Sequence, residues 1–485
     1  MCLVRSRKHV RRSAQKRSSP SKETQLYWVA SAAASAALRA LPRYLPWLRR
    51  DALHPSAPDT TRVARLNRCF PKSERRSASP LPALLHSPAA AGHGIPAAAS
   101  ALAARPRLDA LDFLRGLVMI IMVLDHARDF FGTGGMNPRD VHEPALFLTR
   151  WITHFCAPVF IFLAGMSAFL YGARGHTKPQ LSFFLLTRGL FLVVMELTLV
   201  RLAWTFDLHF DSLVFQVIWV IGAGMVVLAA LVYLERWAVA RFGLVLVLGH
   251  NLLDSIKAEQ FGSAGWLWNF LHAPAILHPT EGVTVLALYA LIPWVGVLAL
   301  GYAFAPVLLL SEPVRRRRLL FTGVLVTLGF VALRASNLYG DPAPWAMQDG
   351  ALATVLSFIN CEKYPPSLLY IAMTLGPALI VLSLFRQARN ALTRAIVTIG
   401  RVPFLLYIAH LFALHGIAVV LALATTGDAG WLFQGMALMK KPAGYGLGLP
   451  AIYALWLAVV IALYPLCRWF AALKQRRQDW WLSYL

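Results

Sequence analysis

Long apolar segments dominate the chain from residue 107 onward and determine its class of fold. Runs of roughly twenty apolar residues recur there, separated by short basic or Gly/Pro-rich stretches. Hydrophobic residues make up 58% of the chain and charged residues 14%, a composition typical of membrane proteins and not of a single soluble core. The sequence therefore predicts an all-α, polytopic integral membrane bundle.

About ten apolar runs are long enough to be transmembrane helices. They lie near residues 110–127, 146–171, 182–203, 213–234, 239–255, 284–310, 319–336, 366–385, 402–424 and 449–467. The fifth run is short and carries His250, Asn251 and Asp254 in its second half. We therefore expect that helix to be tilted, kinked or buried among the others.

Basic residues at the ends of these runs predict the orientation of the bundle. If the N-terminus is cytoplasmic, sixteen Lys and Arg residues fall on the inner side, including the run Arg315 to Arg318, and seven fall on the outer side. Cytoplasmic loops of membrane proteins carry an excess of Lys and Arg. We therefore place both the N- and the C-terminus in the cytoplasm.

The N-terminal region has a different composition. Residues 1–107 hold 20 Lys and Arg against 4 Asp and Glu, and the region is rich in Ala, Ser and Pro without a sustained period. We predict a disordered basic tail over residues 1–106, followed by one transmembrane domain over residues 107–485. Because no folded nucleic-acid-reading motif accompanies the charge, no nucleic-acid partner is expected, and attraction to a membrane surface or an overlong gene start is favoured.

The first apolar run carries ionisable residues that are rare in membrane helices. Arg115 and His126 are eleven residues apart, which is about three helical turns and roughly 16 Å, so they share one face. An ionisable group at the centre of a membrane helix costs about 2.5–3.5 kcal/mol on insertion scales, and such groups commonly mark a pathway or a reaction site. The first run is therefore predicted to carry function.

Histidines collect toward the outer side of the predicted bundle. Asp125 and His126 end the first run, His142 follows in a loop, His154 lies in the second run and His410 near the middle of the ninth. A neutral imidazole is a suitable base or nucleophile near pH 7. Because adjacent residues of a helix point in different directions, a partner for His126 has to come from another helix.

Several segments of the chain resemble one family of membrane enzymes. They are Arg107–Gly116 followed by His126, Thr153–Gly165, Leu291–Val297, Lys363–Tyr370, Gly400–Phe404 with His410, and Trp480–Leu485. Together, over residues 107–485, they resemble the bacterial branch of the heparan-alpha-glucosaminide N-acetyltransferase family. The spacing of Arg115 and His126 is also similar to that in the acyltransferase-3 proteins, which transfer acyl groups to extracytoplasmic glycans.

The resemblance implies an enzyme of the bacterial inner membrane. Such an enzyme takes an acetyl group from cytoplasmic acetyl-CoA and delivers it to an amine or hydroxyl of a glycan on the extracytoplasmic side. Arg115 and Arg401 are expected to bind the phosphates of the coenzyme, because Arg presents a bidentate fork to phosphate. No zinc-ligand spacing is present, so no metal is expected, and the relatives favour a homodimer.

The resemblance also ranks the catalytic candidates. His126 ranks first, as a base or an acetyl carrier. His142 ranks second, because the lysosomal relatives place their active histidine in the loop after the first span, and His142 is its nearest match after a shift of about two residues. Asp125, His154 and His410 are expected to orient the catalytic group or to share protons with it. Direct transfer and an acetyl-histidine intermediate both stay open.

Each of these residues also has a purely structural interpretation. Arg115 could pair with Asp112 one turn away, and His126 could face interfacial water. His142 could be a solvated loop residue, and His410 could form a hydrogen bond between helices. The main functional alternative is a proton-coupled transporter or lipid-linked glycan carrier, which also places His, Asp and Arg within spans. No inverted repeat supports that alternative.

Overall fold

The computed structural model describes residues 109–435, 440–477 and 479–484, which fold mostly into helices. The predicted tail over residues 1–106 lies outside the described residues. The first helices are α1 (Asp109–Phe131), α2 (Pro144–Thr153), α3 (Cys156–Gly172), α4 (Lys178–Met195), α5 (Arg201–Thr205), α6 (Val217–Leu231), α7 (Arg236–Gly249), α8 (Gly265–Leu271) and α9 (Leu291–Phe304). The later helices are α10 (Glu312–Ser336), α11 (Ala351–Ile359), α12 (Leu368–Leu384), α13 (Ala391–Gly400), α14 (Pro403–Thr426) and α15 (Leu449–Arg476).

Six helical stretches in the described part of the chain are long and apolar enough to cross a membrane. They are Pro144–Gly172, Lys178–Thr205, Leu291–Leu309, Glu312–Ser336, Pro403–Thr426 and Leu449–Arg476. A bent pair, Arg236–Leu253 and Ala258–Leu271, makes a seventh if it is counted as one span. The protein is thus a multi-pass membrane protein with six or seven spans by length and composition, against about ten predicted.

The remaining three predicted spans are helices that are too short or carry too many charges to be counted as membrane spans. Helix α6 has 15 residues and α12 has 17. Helix α1 has 23 residues but carries charges in its first turn and near its end. The kink expected in the fifth run is present, because α7 and the helical segment after it meet at an angle of 107°.

A small three-stranded sheet departs from the all-α prediction. It contains β1 (Ser212–Phe215), β2 (Ala275–Thr280) and β3 (Val283–Ala287) in the order β1-β3-β2. Strand β1 is parallel to β3, and β2 is antiparallel to it. The predicted run at 284–310 merged β3 with α9, because β3 is apolar. Its Val-Thr-Val sequence favours a strand, and Gly282, at φ 78°, forms the tight turn from β2.

Helix α1 lies among other helices of the bundle. It packs against α3, α13, α14 and α15, and its residues Met119, Val123 and Ala127 are buried. Asp112 and His126 are buried as well. A helix with these ionisable groups is tolerated in a membrane protein when they face protein instead of lipid, which is the arrangement here.

Two glycines allow α13 to lie directly against the first half of α1. A Cβ atom on Gly116 would collide with the Ile396 carbonyl of α13, and a Cβ atom on Gly400 would collide with the Asp112 carbonyl of α1. This close approach fixes the position of Arg401, which follows α13, beside the first turn of α1.

Candidate active site

Two buried histidines from different helices form a hydrogen-bonded pair. His126 lies on α1 and His410 on α14, and Nδ1 of His126 is 2.7 Å from Nε2 of His410. The two imidazole planes are 10° from parallel. His410 is fully buried, whereas 9% of His126 remains exposed. The structure therefore brings together two of the predicted histidines and supplies His126 with a partner from another helix.

The hydrogen bonds of His410 determine which nitrogen of each ring carries the proton. Nδ1 of His410 is 2.6 Å from the carbonyl oxygen of Leu406. A carbonyl only accepts, so this nitrogen is the donor, and in the neutral ring Nε2 of His410 is an acceptor. Nδ1–H of His126 therefore donates to it. When both rings are neutral, Nε2 of His126 carries a lone pair and no proton.

Aromatic side chains surround the histidine pair. The Trp204 ring meets His126 edge-on with centroids 5.0 Å apart, and Tyr407 does so at 6.1 Å. Trp204 belongs to α5, which follows a π-helical turn at Glu196–Val200. Such turns interrupt helices often near functional sites. Here the turn precedes the short helix that carries Trp204.

Asp125 is next to His126 in sequence but joins a different cluster. Its carboxylate is 2.6 Å from the Arg128 guanidinium, 2.8 Å from the Thr153 hydroxyl and 3.9 Å from the Lys363 amine. Within the described residues, the hydrogen bonds of His126 include none to Asp125. Asp125 thus anchors the end of α1 through ion pairs with residues of α1 and of the segment before α12.

The other two predicted histidines lie elsewhere. His154 is buried, and in the described part of the chain neither of its ring nitrogens has a hydrogen-bond partner; its ring meets Tyr370 edge-on. His142 is exposed in the loop between α1 and α2, where its backbone N–H donates to Asp140. The pair formed by His126 and His410 includes neither of them.

A cavity of about 760 Å³ lies beside α1. Its wall combines apolar and aromatic side chains with charged ones. The described basic residues in the wall are Arg115, Arg174, Arg188, Arg315, Arg401 and Lys474. Asp112 is the one acidic residue among the described wall residues, so the side chains give an excess of five positive charges. A concave site of this kind suits an anionic ligand that also has an apolar part.

One end of this basic cavity lies where several helices begin or end. Arg174 lies two residues after the end of α3, Arg315 lies in the first turn of α10, and Lys474 lies in the last turn of α15. All three belong to the side on which the sequence places the cytoplasm. The charged end of the cavity is therefore formed by residues that the distribution of Lys and Arg assigns to one membrane face.

The other end of the cavity approaches the histidine pair. Met122 lines the cavity and lies one helical turn before His126 on α1. Tyr407 also lines it, lies one turn before His410 on α14 and meets the His126 ring edge-on. The cavity wall thus reaches to within one turn of both histidines.

The two predicted coenzyme-binding arginines both line the cavity. Arg115 donates to Asp112 over 3.1 Å and also contacts the Ser167 hydroxyl, so the predicted pairing within α1 is present. Arg401 lies 3.1 Å from Asp109. The side chains of Arg115 and Arg401 keep 21% and 26% of their surface exposed. Acidic residues of α1 therefore orient both guanidinium groups at the cavity wall.

Four basic wall residues were missed as site residues in the sequence. Arg174, Arg315 and Lys474 were interpreted as markers of membrane orientation only. Arg188 lies inside the apolar run at 182–203 and lines the cavity from α4. A single Arg within a membrane-length apolar run is itself a signal for a functional site, and that signal would have identified Arg188.

The segment before α15 covers the C-terminal end of α1. The Lys441 amine donates to the Gly132 carbonyl over 2.6 Å, and the backbone N–H of Leu447 donates to the Phe131 carbonyl over 2.7 Å. Burial lowers the pKa of Lys441 to about 8, although the nearby Asp129 carboxylate opposes this change. These bonds satisfy carbonyls that the end of a helix leaves without partners.

Comparison with known proteins gives a family match for part of the chain. Residues 107–334 match the model of the family described as "Heparan-alpha-glucosaminide N-acetyltransferase, catalytic". No curated protein matches the chain. The match includes α1 with Arg115 and His126, and it ends before α14 with His410. Residues 107–334 are therefore similar to the heparan-alpha-glucosaminide N-acetyltransferase family, which is the family that the sequence motifs predicted.

Proposed function

We propose that this protein transfers an acetyl group from cytoplasmic acetyl-CoA to an amine or hydroxyl of a glycan on the extracytoplasmic side of a membrane. One observation carries the proposal: a basic cavity reaches to within one helical turn of the hydrogen-bonded histidines His126 and His410. A donor site and a proton acceptor are thus adjacent within one bundle.

The charge of the cavity suits the donor. Acetyl-CoA carries several phosphate charges at one end and a thioester at the end of a long neutral arm. Arg174, Arg315 and Lys474 at the helix ends would bind the phosphates, with Arg115 and Arg401 deeper in the wall. Charge-assisted hydrogen bonds from Arg to phosphate are among the stronger polar contacts in proteins. The apolar wall near Met122 would then accommodate the arm and direct the thioester toward His126.

The proton assignment of the histidine pair gives His126 its role. As the acceptor oxygen or nitrogen attacks the thioester carbonyl, Nε2 of His126 takes the proton from the acceptor, the C–S bond breaks, and the departing thiolate receives a proton from the imidazolium. In the alternative route, Nε2 attacks the carbonyl itself and the thiolate leaves; the acetyl group then passes from the ring to the acceptor, whose proton neutralises the thiolate. His410 holds the His126 ring in the required tautomer in both routes.

The remaining predicted residues receive supporting roles. Asp125 fixes the outer end of α1 through Arg128 and Lys363. His154 lies buried between α2 and α3 and would shape the acceptor side, while His142 would lie at the outer surface. We propose ten spans with both termini in the cytoplasm of a bacterial inner membrane, and a homodimer, on the distribution of Lys and Arg and on the family resemblance.

A vesicle assay tests this function. The purified protein is reconstituted in sealed liposomes that contain glucosamine or glucose, and acetyl-CoA labelled in the acetyl group is added outside. We expect labelled acetyl sugar inside the vesicles, at a rate that depends on His126. The Arg241→Ala variant is the matched control, because Arg241 is an exposed arginine of α7 that does not line the cavity.

The assay also separates the proposal from its alternative. If the protein neither binds nor consumes acetyl-CoA and no labelled sugar forms, the acetyltransferase assignment is wrong. Movement of unmodified sugar across the membrane with a proton gradient would then indicate a transporter.

A further inference from the structure

A second cluster of chemically active side chains lies at the bend of the fifth predicted span. His250 begins the 3₁₀ turn that follows α7, Asp254 comes directly after that turn, and His272 follows the last residue of α8. One nitrogen or oxygen atom from each of these residues lies within 4.8 Å of the others. The 107° bend of the chain brings the three residues together, although His250 lies before the bend and His272 lies after α8.

His250 is the residue that points to a ligand. It is 1% exposed, and within the described part of the protein neither Nδ1 nor Nε2 has a hydrogen-bond partner. His272 is 2% exposed, and within the described residues its Nδ1 also has no hydrogen-bond partner. Buried polar atoms normally have a partner in a folded protein. Two buried imidazoles facing one small space, with a carboxylate beside them, are the side chains that bind transition metal ions.

The surroundings hold the cluster in place. Oδ1 of Asp254 is 2.9 Å from Nε2 of His272, while its other oxygen accepts a hydrogen bond from the Asn251 side chain over 2.9 Å. The Asn251 carbonyl oxygen in turn accepts from the backbone N–H of Leu368, the first residue of α12. Asn251 thus orients the carboxylate and joins the bend to α12, which is the kind of outer contact that metal ligands usually have.

We propose that His250, Asp254 and His272 bind one Zn²⁺ ion. Zinc accepts imidazole nitrogen and carboxylate oxygen at about 2.0–2.2 Å in tetrahedral geometry, so its ligand atoms lie about 3.4 Å apart. The observed cluster needs only small side-chain movements to reach that spacing. Three protein ligands leave a fourth position for water. The site differs from the cavity beside α1, because none of its residues lines that cavity.

The bound ion would link the end of α7 to the end of α8 across the bend. Without it, the described contacts that hold this corner include one His–Asp hydrogen bond and the bond from Trp268 to the Ile256 carbonyl. A hydrogen-bonded His–Asp pair explains His272, yet it leaves both nitrogens of His250 buried without a partner. A bound metal would give one nitrogen of each histidine a ligand bond.

Metal content of the full chain tests the proposal. The protein is purified in detergent through an affinity tag that contains no histidine, equilibrated with Zn²⁺, and passed into metal-free buffer. We expect one zinc ion per chain by mass spectrometry. His250→Ala and His272→Ala should weaken zinc binding by about 100-fold or more, and Asn251→Ala by about 10- to 100-fold. His278→Ala, an exposed histidine on β2, is the control that should bind zinc like the wild type.

A second measurement keeps the test decisive if a variant does not fold. Wild-type protein is loaded with Co²⁺ instead, and its visible absorption should show the intense bands of a four-coordinate ion with nitrogen and oxygen ligands. The proposal is overturned if wild-type protein retains no more zinc than a protein-free blank. It is also overturned if folded His250→Ala binds zinc as tightly as the wild type.

Discussion

Nδ1 of His126 lies 2.7 Å from Nε2 of His410, so one hydrogen bond connects two histidines that are 284 residues apart in the sequence. This bond, together with the bond from His410 to the Leu406 carbonyl, leaves Nε2 of His126 as an unprotonated nitrogen one turn beyond the cavity. The relationship gives His410 a specific task. In the proposed mechanism, His410 sets the tautomer of His126 through these two hydrogen bonds.

Substitution of His410 should therefore affect turnover more than donor binding. We expect His410→Ala to lower kcat by about 10- to 100-fold with little change in the KM for acetyl-CoA, because His126 loses the acceptor for its Nδ1 proton. His410→Gln should retain more activity, since its side-chain oxygen can accept the same bond. Steady-state kinetics of both variants measure the effect. Equal losses in the two variants, or a rise in KM alone, would contradict the assigned role.

Removal of either cavity arginine should weaken donor binding. A hydrogen bond to a charged group contributes about 1.5–3 kcal/mol, so Arg115→Ala and Arg401→Ala should each raise the Kd for acetyl-CoA by about 10- to 100-fold. The affinity of the wild type should also fall as salt rises, and fall less steeply in the variants. Equilibrium binding at several salt concentrations measures this, with Arg241→Ala as the control. Unchanged affinity in both cavity variants would exclude the cavity as the donor site.

The contact between α13 and α1 predicts a difference between two glycine substitutions. Gly400→Ala places a methyl group against the Asp112 carbonyl, and such overpacking costs about 1–3 kcal/mol. Gly416→Ala on α14 is the matched control, because a Cβ atom there meets no described atom within 4 Å. Thermal unfolding in detergent should show a lower Tm for Gly400→Ala alone. Equal Tm values would mean that the two helices are not held this closely.

Lys441 should react with acylating reagents at lower pH than an ordinary lysine. Burial lowers its pKa to about 8, so its amine is half neutral near that pH, compared with 10.5 in an unfolded chain. The unfolded chain binds more protons between these values. The contribution of Lys441 to stability is therefore complete above pH 10.5 and is lost as the pH falls through about 8.

Mass spectrometry of acylated peptides across a pH series measures this effect. In Asp129→Asn the midpoint for Lys441 should move to still lower pH, because the Asp129 carboxylate raises the pKa of the amine. A wild-type midpoint near 10.5, the value in an unfolded chain, would contradict the burial of the Lys441 amine.

Much of the helical framework could be predicted from the sequence, because a membrane-length apolar run has few structural alternatives. The prediction was wrong at β3, where four apolar residues and one Thr come shortly before α9, and only the β-branched residues Val283 to Val285 distinguish them from a helix. The sequence also singled out Arg115 and His126, since both interrupt an apolar helix, and the structure places the first at the cavity wall and the second in the histidine pair. The bond between His126 and His410 could not be predicted, because a single sequence contains no information on which face of α14 meets α1. Arg188 was overlooked inside an otherwise apolar run.

In the proposed mechanism, His126 is the group that carries out acetyl transfer, either as the base or as the acetyl carrier. Transfer of labelled acetyl from acetyl-CoA in a single turnover, with the purified protein in excess, tests it most directly in the wild type, His126→Ala and His142→Ala. We predict that His126→Ala slows transfer by about 10²- to 10⁴-fold, the usual contribution of a general base, while His142→Ala stays close to the wild type. Wild-type transfer rates in His126→Ala, with loss of transfer in His142→Ala, would contradict the account and assign the chemistry to the outer loop.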